Sequence, residues 1–242
     1  MFPIGDDNRG RHITPVVNYL LIAINIAVFL YQIQLPEGAS ARGQICSPSL
    51  AGTIQGFICE FGVVPGEVTQ GQDLFTLLTS MFVHGGWGHI FGNMLFLWVF
   101  GDNVEDAFGH VGYLVFYLGT GLAASAAHIL LNPGSPIPSV GASGAISGVL
   151  GAYLIFFGRN AIRVLIWLFV TVVPAWLMIG LWAVQQFFAT FGSLAQTEQT
   201  TGGVAYAAHA GGFLAGLLLA AAIRATMGRP EQRPASRMRG YT

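Results

Sequence analysis

Ser143 stands in Gly141-Ala142-Ser143-Gly144, a run of small residues that opens an apolar stretch ending at Phe157. A serine hydroxyl is a weak nucleophile until a base takes its proton. At a helix N-terminus it gains two aids. The first backbone N–H groups lack intrahelical partners and can donate to an oxyanion, and the helix dipole favours the negative charge. Gly141 and Gly144 would let a substrate backbone come close. Taken alone, the motif reads more readily as a capping or packing serine. Ser143, Ser147 and Gly151 recur every fourth residue, which is a small-residue stripe suited to helix contact. The soluble-hydrolase elbow Gly-x-Ser-x-Gly is not matched, because Ala145 occupies its last position.

A base is available in Ala208-His209-Ala210-Gly211-Gly212, inside another apolar stretch. An ionisable residue within such a stretch is costly to bury and points to function. Gly212 and Gly216 lie three and seven residues on, nearly on the same face, so a neighbouring helix can approach closely. The stripe of Ser143, Ser147 and Gly151 is the complementary surface, which brings Ser143 within reach of His209. His128 lacks such glycines and reads as a hydrogen-bonded structural residue.

His84, His89 and Asn93 form a third group. His89 and Asn93 are i and i+4, on one helix face. Two histidines at that spacing would suit zinc, but the partner is Asn and no His-Glu-x-x-His pattern exists. An Asn amide and a His N–H suit an oxyanion better. Cys46 and Cys59 also lack zinc-ligand spacing to any His or second Cys pair, so neither a metal nor another cofactor is expected. Nothing suggests a nucleic-acid partner.

These groups must be positioned by helices in lipid. Of 242 residues, 53% are hydrophobic and 9% charged, too few charges to cover a water-soluble globule. Six spans are expected: Val16–Leu35, Trp87–Asn103, His110–Leu131, Ser143–Phe157, Val164–Phe188 and Gly203–Arg224. The loop between the first two is long, and its Leu74–Val83 part is apolar enough to rest in the membrane interface. Ala39-Ser40-Ala41 loosely resembles a cleavage site, but the first span exceeds a signal-peptide core and reads as a retained helix. The expected organisation is a cytoplasmic segment 1–15, a membrane domain 16–226 and a disordered tail 227–242.

The chain has no Lys, and its ten Arg fix the orientation. With six spans, Arg9, Arg11, Arg159, Arg163, Arg224, Arg229, Arg233, Arg237 and Arg239 share one side, the cytoplasm. Only Arg42 falls outside. Acidic Asp102, Glu105 and Asp106, expected in the loop between spans two and three, weigh little in this rule. A helix from Ser143 to Phe157 is only about 22 Å long, against a hydrocarbon core of about 30 Å. The Pro-rich run 132–138 fixes its start. Ser143 is therefore expected about 10 Å below the outer surface, on the floor of a wet pocket.

The combination resembles the rhomboid family of intramembrane serine proteases. The resemblance rests on His84-Gly-Gly-Trp-Gly-His89-Ile-Phe-Gly-Asn93, on Gly141-Ala-Ser143-Gly144-Ala145 and on Ala208-His209-Ala-Gly-Gly212, each on the expected span and in the family's order. Phe61-Gly62-Val63-Val64-Pro65 is similar too. It implies an all-α membrane protein with a six-helix bundle and a long membrane-associated first loop. It implies a Ser143–His209 dyad with no third carboxylate, and an oxyanion site of Asn93, His89 and the Ser143 N–H. Substrates would be single-span proteins in the bilayer, cut near the outer edge of their helix. Span five and the first loop would form a lateral gate and its frame. The protein would sit in a bacterial plasma membrane with both termini cytoplasmic.

Differences from the family pattern stand at Phe75-Thr76, where many relatives have Trp-Arg, at Glu105-Asp106-Ala107, where many have Arg after the Glu, and at Ser147, where many have an aromatic ring against the base. Ser147 is expected to bond back to the carbonyl of Ser143. Tyr206 or span-five residues are the candidates to pack on His209 instead. A non-catalytic rhomboid-like chaperone or adaptor is the alternative, but such relatives usually lose the Ser or the His. A broken-helix transporter would show an internal repeat, and none is seen. Cys46 and Cys59 share the outer loop and either form a disulfide or remain buried thiols.

Overall fold

The computed structural model describes residues 2–7, 10–38, 46–194 and 205–227. Arg9, Ala39-Ser40-Ala41, Arg42, Gly203, Arg229, Arg233, Arg237, Arg239 and the tail beyond residue 227 lie outside the described residues. The chain runs β1 (Phe2–Gly5), α1 (Val16–Gln32), three short helices α2 (Ile54–Phe61), α3 (Pro65–Val68) and α4 (Thr76–Thr79), then α5 (Trp87–Leu131), α6 (Ser143–Phe157), β2 (Ala161–Ile166), β3 (Phe169–Pro174), α7 (Ala175–Leu194) and α8 (Tyr206–Met227). Among the described residues three helices are long and apolar enough to cross a membrane, namely α5, Ala175–Gly192 of α7 and Tyr206–Thr226 of α8; α1 and α6 are shorter and apolar.

As a straight rod, the 45 residues of α5 would extend about 68 Å, more than twice the hydrocarbon core. The rod is broken at Gly109, whose φ of 69° and ψ of 167° are not helical. Asn18 shows that the two arms fold back on each other. Its Nδ2 donates to the Leu97 carbonyl of the first arm (3.0 Å), and its Oδ1 accepts from Tyr113 Oη of the second (2.8 Å). On a straight helix those residues would stand about 24 Å apart.

The acidic residues expected in a loop here are helical instead. Pro15 gives α1 no side-chain cap, so its first N–H groups need another acceptor. Fully buried Glu105 supplies one, taking Val17 N (2.9 Å) and Asn18 N (2.7 Å). Asp106 accepts from His12 N and Ile13 N, and Arg11 donates to Asp102 (2.8 Å). These pairings between the N-terminal segment and the first arm of α5 explain why the carboxylates cluster there.

A second correction concerns the fifth span. The stretch from Val164 does not begin a helix; it is part of a hairpin, with β2 pairing β3 from Ala161↔Pro174 to Ile166↔Phe169. Ile162, Val164, Ile166, Val170, Val172 and Val173 are β-branched and favour extended backbone. Ile162 and Val164 are buried while Arg163 between them is exposed, which is a strand's period of two. β1 adds to the other side of β2 through Phe2↔Leu165 and Pro3↔Val164, making an antiparallel sheet in the order β1-β2-β3. The fold is therefore mainly helical but not all-α, and α7 starts at Ala175.

At the centre α6 is clamped between α8 and the second arm of α5. A Cβ on Gly212 would strike the Gly144 carbonyl, and one on Gly216 the Gly148 carbonyl. Gly151 faces Phe213 O and Leu217 N in the same contact, and Gly148 faces Thr120 of α5. Small residues on both helices let the backbones meet.

Candidate active site

The irregular segment that leads into α6 is braced by the first loop. Val63 and Ser139 exchange backbone hydrogen bonds (2.9 and 2.8 Å), Gly66 N donates to Ser135 O, and Gly141 N donates to Ser80 O (2.8 Å). Such non-helical backbone is tolerated within a membrane protein when protein groups satisfy it. The disulfide between Cys46 and Cys59, with Cα atoms 5.7 Å apart, tethers this loop. Leu74, Phe75 and Leu78 near α4 turn outward, more than two-fifths exposed.

Ser143 is the first residue of α6. Its Oγ lies 2.7 Å from His209 Nε2 on α8. The other ring nitrogen, Nδ1, donates to Gln186 Oε1 of α7 at 2.7 Å. An amide oxygen only accepts, so Nδ1 carries the proton and Nε2 presents its lone pair to the serine hydroxyl. Trp182, one turn before Gln186, lies over the His209 ring (centroids 6.2 Å apart, planes at 33°), and Tyr206 meets it edge-on at 6.4 Å. Ser147 is buried and its Oγ donates to the Ser143 carbonyl at 2.6 Å, within the helix.

Asn93 and His89 project from the first turns of α5 toward Gly141, two residues before the serine. A Cβ on Gly141, whose φ is +124°, would stand 2.6 Å from His89 Nε2 and 3.5 Å from Asn93 Nδ2. Only glycine combines that backbone with that closeness. Gly85 N–H donates to His89 Nδ1 (3.2 Å), which leaves the proton on Nε2, the atom beside Gly141. Asn93 Nδ2 is buried and has no partner. Two side-chain donors thus stand beside Gly141, and the buried one, Asn93 Nδ2, is uncommitted. His84 is fully buried, packs edge-on against His89 (5.1 Å), and its carbonyl accepts from Gln32 of α1. His128 pairs with Asn132 at the end of α5.

One site expectation needs revision. Gly144, expected to admit substrate, is buried and faces Ala124 of α5, so it serves helix packing. Trp182 is one of the span-five residues expected against His209, as is Tyr206, but Gln186 is not among the expected partners of the base. The signal was present in Gln186, a polar residue inside an apolar stretch, where such groups are expensive unless used. Among the described residues no group of three or more His, Cys, Asp or Glu is arranged to hold a metal.

Residues 71–226 match the family model described as the Rhomboid domain. The chain is 32% identical over 140 residues to Rhomboid protease GluP of Bacillus subtilis (strain 168), covering 58% of this chain and 24% of that protein. It is 31% identical over 221 residues to Rhomboid protein 1, mitochondrial, of Saccharomyces cerevisiae (strain ATCC 204508 / S288c), covering 89% and 55%. Against Rhomboid-like protease 5 of Toxoplasma gondii the identity is 31% over 181 residues, covering 73% and 19%. The matched regions span between about a fifth and just over half of these relatives' own length.

Proposed function

The chain belongs to the rhomboid family, and from that premise we propose that it is an intramembrane serine endopeptidase working through Ser143 and His209. The observation that carries the proposal is the 2.7 Å hydrogen bond between Ser143 Oγ and His209 Nε2. Ser143 Oγ attacks the scissile carbonyl while His209 Nε2 takes its proton. The tetrahedral oxyanion is held by the Ser143 N–H at the start of α6, by His89 Nε2–H and by Asn93 Nδ2. His209 then gives its proton to the leaving amine, and a water deprotonated by His209 hydrolyses the acyl-enzyme. The unpartnered amide of Asn93 supports this division of labour, since a buried donor left idle is costly unless the reaction fills it.

The surrounding architecture belongs to the same proposal. The two arms of α5 count as separate crossings, which together with α1, α6, α7 and α8 makes a six-crossing domain with its termini on the cytoplasmic side. In this reading Ser143, at the start of short α6, lies below the opposite surface, and the segment before it admits water. Substrates are single-span membrane proteins whose helices unwind into this site. Incubation of the purified protein in detergent or liposomes with a single-span substrate, beside labelling by a fluorophosphonate, tests it. Wild type should cleave and label, and Ser143→Ala should do neither. A wild type that folds but neither cleaves nor labels would point to a non-catalytic adaptor and overturn the reading.

A further inference from the structure

The base is held from a third helix by a neutral side chain. Gln186 lies on α7, is 6% exposed, and accepts from His209 Nδ1 at 2.7 Å. Trp182, four residues earlier on the same face, covers the imidazole and also packs against Phe213 of α8 (5.9 Å). Thr190, one turn later, donates its hydroxyl to the Gln186 carbonyl. So α7 presents to His209 one residue that packs and one that accepts a proton-bearing nitrogen. Ser147, on the other side, is committed to its own helix through the Ser143 carbonyl and offers the ring nothing.

We propose that Gln186 is the positioning residue of the base, fixing His209 in the tautomer whose Nε2 can take the Ser143 proton. This rests on the protease reading above. A neutral imidazole carries one proton on either nitrogen, and only the Nδ1–H form leaves Nε2 free to act. An acceptor at Nδ1 selects that form and sets the ring plane. A carboxylate would do so too, but a charge buried among apolar helices carries a large desolvation penalty, which an amide largely avoids.

The location adds a consequence. Leu181, Val184, Phe188 and Phe191 leave the opposite face of α7 apolar and exposed, so α7 is a peripheral helix. Moving it outward by more than about 1 Å breaks the Gln186 bond, since hydrogen bonds weaken steeply beyond about 3.5 Å. The base is thus competent only while α7 is seated.

The test compares Gln186→Met, which keeps length and apolar packing but has no acceptor oxygen at that point, with Gln186→Glu, which keeps one. Gln186→Met should lower kcat about 10–100-fold with KM within about twofold, because orienting a general base acts on the chemical step. Its fluorophosphonate labelling should slow in parallel. Gln186→Glu should stay within about tenfold of wild type. If Gln186→Met fails to accumulate, Gln186→Asn, one methylene too short, takes its place with the same expected loss. Wild-type kcat in Gln186→Met (or in Gln186→Asn where that stands in), or equal losses in Gln186→Glu and the variant lacking the acceptor, overturns the role of Gln186 while leaving the protease reading intact. Absence of cleavage and labelling by wild type itself, with Ser143→Ala as control, overturns that reading instead.

Discussion

Ser143 and His209 form one hydrogen-bonded unit, so in the proposed reaction their losses do not add. Ser143→Ala and His209→Ala should each abolish cleavage, and the double variant should be no slower than either single one. Substantial turnover in either single variant would sink the dyad. Asn93 is a different case. Its Nδ2 has no partner in the resting protein, so Asn93→Ala removes no resting hydrogen bond from that atom. The variant should keep the wild-type melting temperature yet lose about 10²–10³-fold in kcat, the usual worth of one oxyanion donor. A drop in melting temperature with unchanged kcat would make Asn93 a structural residue. Ser147→Ala removes only a bond internal to α6 and should change activity by about a few fold.

Among the helices, the amino end of α1 depends on a residue nearly ninety positions away. Glu105 takes two backbone N–H groups there and a third hydrogen bond from His110 Nδ1 (2.5 Å). Glu105→Ala leaves one buried and one part-buried donor unmatched and should cost about 2–4 kcal/mol, read as a lower midpoint of denaturant unfolding in micelles. Glu105→Gln, which keeps an oxygen for one of them, should cost less, and equal midpoints for all three proteins would refute the capping role. From the sequence this carboxylate could be seen but not its use, because a cap supplied from a distant helix leaves no local signal. The opposite holds for α6. Its span from Ser143 to Phe157 was legible to the residue, since prolines bound one end and Gly158-Arg159-Asn160 the other. The hairpin was misread because Val164–Val173 is as apolar as a span. Hydropathy alone does not separate a strand from a helix there; the run of β-branched residues does. The Ser143–His209 contact is approached through matching glycine stripes, whereas Gln186 gives no such signal because its own helix, α7, carries no matching stripe.

Across the whole molecule, the N-terminal segment binds three distant elements at once. Asp6 Oδ2 accepts from Asn103 Nδ2 (2.5 Å) and from Tyr153 Oη (2.6 Å), while β1 pairs with β2. Burial pushes the Asp6 carboxyl up to about 7, with the nearby Asp102 adding to it and the Tyr153 hydrogen bond opposing. A carboxyl raised in the folded state contributes stability that is complete below its unfolded value, near 3.8, and is lost as pH rises through about 7. The melting temperature of wild type should therefore fall between about pH 4 and 7 by more than that of Asp6→Asn. Parallel pH curves for the two proteins would exclude the effect. The same docking also sets an order of events in time. Phe2 must wait for Leu165, its partner in the sheet, to be made, and at about 5–20 residues per second that takes roughly 8–30 s. During that interval the amino end of α1 has no Glu105 for the first half, and β1 has no partner strand for any of it. Helix α1 is thus made well before the residues that close its entry, and until they appear it must be held by the insertion machinery or the bilayer itself.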